Sequence, residues 1–151
     1  MIRLAGRKLI ATMVAIGAIS QSTPVMADAC DDEVAQLASK IGATIGRKGP
    51  SGMIALRHSN ASEITFGCPP PSKFLVIFGT ARPRLEFMEF LTLAGSVFTG
   101  QPAPLVRTAA ERCIAAALAD RSGFSRLPFG KFTLDCGDGR NGIGPKVTFE
   151  E

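Results

Sequence analysis

The stretch EITFGCPPPSKFLVIF, residues 63–78, decides the fold class. In its first part Ile64, Phe66 and Cys68 alternate with Glu63, Thr65 and Gly67, the two-residue period of a strand with one buried face. Pro69, Pro70 and Pro71 then force an extended connection. Phe74 to Phe78 is apolar at every position, which suits a central strand covered on two sides or backed by helices.

Upstream, Met53 to His58 reads as a further strand, joined to the first by the turn Ser59 to Ser62. Before it, Val34, Leu37, Ile41 and Ile45 share one stripe at helical spacing. Asp31, Asp32 and Glu33 suit the positive end of that helix, and Gly46 is expected to close it. Downstream, Pro83 fits the first position of a helix whose positions Leu85 to Phe98 are mostly apolar, with Gly100 closing it. A third helix, Pro104 to Arg121, has Val106, Ala109, Ala110, Cys113, Ile114, Ala117 and Leu118 as its apolar face and ends at Gly123. Phe132, Leu134 and Cys136 alternate again as a strand, and a glycine-rich loop from Gly137 to Pro145 leads to a last strand with Val147 and Phe149.

The expected order is α-β-β-β-α-α-β-β: a two-layer α+β domain, three helices on a mainly antiparallel sheet of about five strands. The strings EITFGC (63–68) and KFTLDC (131–136) look alike, as a distant duplication or chance between amphipathic strands would make them.

The N-terminus reads as an address. Arg3, Arg7 and Lys8 precede the apolar run Leu9 to Ile19, a polar region follows, and Val25-Met26-Ala27 offers the compact side chains a signal peptidase accepts. Cleavage is expected after Ala27, leaving residues 28–151 as one domain. The apolar run is too short for a membrane span, which takes roughly 20 residues. Lipidation of Cys30 is disfavoured by the charged Asp28 two residues before it. Three of the 17 basic residues lie in the leader, so the remaining 124 residues carry 14 basic and 13 acidic side chains. The pI near 9.1 is therefore mostly the leader's. With no basic stripe and no Tyr or Trp for base stacking, nucleic-acid binding is excluded.

Cys30, Cys68, Cys113 and Cys136 all follow the expected cut. In an exported chain they imply two disulfides. Zinc is disfavoured because the closest pair is 23 residues apart and no C-x-x-C occurs. Pairing Cys30–Cys68 with Cys113–Cys136 joins each helix to a following strand. Cys68–Cys136 with Cys30–Cys113 is the competitor if the two similar strands are neighbours, and spacing leaves the choice open.

Chemistry-bearing residues are few. His58 is the only histidine, and its place at a strand end beside a turn favours a hydrogen-bonded structural role over a base acting on Ser59 or Ser62. Gly137 to Gly142 matches G-x-G-x-x-G, but too few residues follow for the helix a dinucleotide needs. Asp135, Asp138 and Asn141 lack calcium-loop spacing. The loop is expected to be a mobile hairpin connection, with Arg140 available to an anion or partner. The apolar helix carrying Phe87 and Phe90 is expected in the core, with a partner face as the alternative, and Arg82 and Arg84 flank its start. The glycosylation sequon Asn60-Ala61-Ser62 carries no functional weight.

These motifs carry no family resemblance. They fit a small periplasmic or secreted accessory protein that is not an enzyme and has a protein partner, no metal and no cofactor. The alternatives are a binder of small apolar or anionic ligands, using the Phe-rich helix and the glycine loop, and a hydrolase built on His58.

Overall fold

The first helix stops earlier than its apolar stripe suggests. In the computed structural model, which describes residues 25–49, 52–69, 71–80, 85–140 and 144–151, α1 spans Val25–Ile41. Gly42 takes φ +69°, and Ala43 N–H donates to Ala38 O at 2.9 Å, closing the helix in a left-handed turn. Ile45, four residues beyond Ile41, keeps helical spacing but lies in β1 (Thr44–Lys48), where it is 51% exposed. Gly46 is a strand residue and not the helix cap. The expected signal cut after Ala27 falls in the first turn of α1, and residues 1–24 lie outside the described residues.

The sequence continues through β2 (Ile54–Arg57), β3 (Glu63–Gly67), β4 (Phe74–Phe78), α2 (Leu85–Thr99), α3 (Ala103–Ala119), β5 (Phe124–Phe129), β6 (Phe132–Gly137) and β7 (Lys146–Glu150). Among the described residues the sheet has seven strands, not about five, in the order β1-β2-β3-β4-β7-β6-β5, antiparallel throughout. The two additions are the edge strands. Pro128 hides β5 from sequence reading because it has no N–H to give a ladder, which is tolerable only at an edge. Gly130, at φ +63°, opens the two-residue turn that folds β5 onto β6.

All three helices lie on one face, giving two layers around a single core. The buried row Ile54–Phe66–Leu75–Phe149–Leu134 crosses five strands, and none of its members is more than 3% exposed. Burying such a side chain contributes about 1.5–3 kcal/mol, so the row is a main fastening across the sheet. Phe87, Phe90, Leu91 and Ala94 of α2, and Val106, Ala110, Cys113 and Ala117 of α3, cover it. Gly95 lets α2 descend onto this layer: a Cβ there would meet Phe149 Cζ at 2.5 Å and Val106 Cγ1 at 2.7 Å.

β4 and β7 form a seam between two antiparallel meanders, β2-β3-β4 and β5-β6-β7. A two-fold axis through the Leu75–Phe149 pair relates Ile64 to Phe132, Phe66 to Leu134 and Cys68 to Cys136. These are the positions that the strings at 63–68 and 131–136 align. The disulfides are Cys30–Cys68 and Cys113–Cys136, each tying a helix to its own meander.

Candidate functional site

The sheet face away from the helices is uncovered among the described residues. β4 contributes Phe74, Val76 and Phe78 to it, all half-buried. β4 is a central strand backed by helices on one side, the second of the two arrangements its apolar run suits. Phe74 lies across Gly67, where a Cβ would approach its ring to 2.4 Å, so the glycine makes room for a cross-strand aromatic. Phe78 carries the Lys146 ammonium 5.7 Å from its ring centroid. Val76 is level with Thr65, Thr148, Asp135 and Arg126. Thr148 Oγ1 is buried on this face with no hydrogen-bond partner among the described residues.

Charge frames the strip. Arg126 and Asp135 pair across β5 and β6 through two contacts of 2.6 Å, and this carboxylate raises the guanidinium pKa further. Glu63 and Lys146 flank Phe78 on either side. An apolar centre with a charged rim is the anatomy of a protein-binding surface.

The residues singled out by sequence lie elsewhere. Phe87 and Phe90 are 2% and 4% exposed, so both belong to the core and offer no partner surface. Arg82 and Arg84 lie outside the described residues. Arg140 is engaged internally: it forms an ion pair with Asp138 and donates to the carbonyls of Leu118, Asp120 and Arg121 at 3.2, 2.8 and 3.3 Å. Its guanidinium thus caps carbonyls at the C-terminal end of α3 while its side chain stays exposed.

The described ends of the glycine loop are closely packed, and its residues 141–143, with the expectation of a mobile connection, lie outside the described residues. A Cβ on Gly139 would meet Gly144 C at 2.2 Å, and one on Gly144 would meet Thr80 O at 2.3 Å. No helix follows Gly137, so the dinucleotide string has no structural counterpart.

His58 stacks on Phe90 with ring centroids 4.1 Å apart, and its Nδ1 accepts the Asn60 N–H at 3.1 Å. Ser62 Oγ donates to Gly79 O at 2.8 Å, while Ser59 Oγ meets Asn60 Oδ1. Among the described residues no serine or carboxylate is hydrogen-bonded to His58, so the contact a His-activated nucleophile requires is not made. No group of three His, Cys, Asp or Glu side chains is gathered for a metal there either.

No family model, curated protein or solved structure matches the chain. No described helix is long and apolar enough to cross a membrane.

Proposed function

We propose that the chain is a small periplasmic or secreted accessory protein that acts without catalysis, by holding a protein partner on the open face of its sheet. The observation that carries this reading is the strip Phe74–Val76–Phe78, apolar and uncovered at the centre of a charged rim. An antiparallel sheet with one solvated face normally alternates to polar residues there. Two disulfides bracing so small a domain agree with an oxidising destination.

The test is a photo-crosslinking amino acid introduced at Val76 in the exported protein, with Glu111 on α3 as control. A discrete protein adduct from Val76, absent from Glu111 and lost in Val76→Asp with unchanged thermal stability, is expected. Equal crosslinking from both positions would overturn the assignment. The N-terminus of the exported form is expected at Asp28.

A further inference from the structure

On the opposite side of the molecule a cleft of about 410 Å³ opens between α1, the end of α2, and the sheet end that carries Lys73, Lys131 and Glu151. Its apolar lining is the half-buried pair Val97 and Phe98, packed on the core. Phe98 meets Phe66 edge-on at 6.0 Å between centroids and Phe132 at 5.7 Å, while Phe66 and Phe132 are themselves buried. Its rim is cationic: Lys40, Lys73 and Lys131 all line the mouth.

Lys73 pairs with Glu33 at 2.6 Å, and Lys131 pairs with Glu151. The Lys131–Glu151 pair is exposed and the Lys73–Glu33 pair partly so, and surface pairs are worth only about 0–1 kcal/mol, so an incoming anion can take over either ammonium at little cost. Lys40, on the α1 stripe with Glu33 and Leu37, has no carboxylate partner among the described residues. The rim thus holds one uncompensated ammonium. The C-terminus of α2, which opens into the same cleft, carries about half a negative charge. That balance favours a single negative charge over a doubly charged phosphate. The volume lies in the ordinary range for small-molecule sites, roughly 300–1,000 Å³.

We propose that this cleft binds a small amphipathic monocarboxylate, its apolar body against Val97 and Phe98 and its carboxylate among Lys40, Lys73 and Lys131. The ligand exchanges with Glu33 and Glu151 for their lysines. This site is separate from the open sheet face, and either can fail alone.

Isothermal titration of the disulfide-intact protein with decanoate, decylamine and acetate tests it. Saturable decanoate binding is expected, at least ten-fold tighter than decylamine and with none measurable for acetate. Lys73→Gln with Lys131→Gln weakens decanoate at least ten-fold, whereas Glu33→Gln with Glu151→Gln strengthens it several-fold. Lys131 and Glu151 are exposed and Glu33 and Lys73 partly so, and circular dichroism checks that both double variants are folded. Val76→Asp leaves the titration unchanged. Absence of saturation at millimolar decanoate, equal binding of the amine, or indifference to the lysine pair would overturn the proposal.

Discussion

The two halves of the molecule share a strand plan but are braced differently. In the N-terminal half Cys30 and Cys68 are only partly buried, and they tie α1 to the end of β3 across 38 residues. In the C-terminal half Cys113 and Cys136 are 0% exposed, and they tie α3 to β6 across 23 residues. Loop-closure entropy alone ranks the longer bridge ahead by only about 0.4 kcal/mol. Core packing ranks them the other way, because removing the inner sulfurs empties space that Leu134, Val147 and α3 have closed around. The inner brace should therefore matter more.

Three measurements bear on that comparison. The largest effect is expected from Cys113→Ala with Cys136→Ala, about 4–5 kcal/mol in urea unfolding, against about 2–3 kcal/mol for Cys30→Ala with Cys68→Ala. A reversed ranking would break the comparison. Next come the glycines Gly95 and Gly67, where an added Cβ meets a phenylalanine ring at 2.5 and 2.4 Å. Phe149 is locked in the core, so Gly95→Ala should cost about 1–3 kcal/mol by overpacking. Phe74 lies on the open face and can swing aside, so Gly67→Ala should cost less than about 1 kcal/mol. Equal losses would show the open face to be as rigid as the core.

The smallest effect is electrostatic. Asp120, just past α3, accepts from Ser122 Oγ and Ser122 N–H, which hold its carboxyl below the ordinary value of 3.8. A depressed carboxyl contributes stability that is present above its unfolded pKa and lost as pH falls through the folded one. Ser122→Ala removes the hydroxyl and keeps the N–H, so it should move the Asp120 titration, followed by NMR, part of the way back towards 3.8 and reduce that acid-limb contribution. An unmoved titration would remove the Ser122 hydroxyl as a cause.

Most elements were legible because core burial imposes a period on them. Phe74 to Phe78 falls on β4, Leu85 to Phe98 on α2 within one residue, and the alternation at Phe132, Leu134 and Cys136 on β6. The two strands that escaped are the sheet edges, which meet neighbours on one side only. There Ile45 and Phe124 are 51% and 48% exposed, and little burial remains to write a pattern. The open face was half legible: an apolar Phe74, Val76 and Phe78 announced a second contact but not that it would be missing from the domain's own packing. The cleft was not legible at all. Its lysines come from α1, the start of β4 and the β5–β6 turn, and only folding brings them to one rim.

The cysteine pairing has one last consequence, for the order of events in a chain entering an oxidising space N-terminus first. The bridges are sequential, and neither loop encloses a cysteine of the other. When Cys68 emerges, Cys30 is its only available partner, and once those two have joined, Cys113 can wait only for Cys136. In a chain exported in that way, native connectivity would follow from order of arrival, and oxidation would call for bond formation without reshuffling.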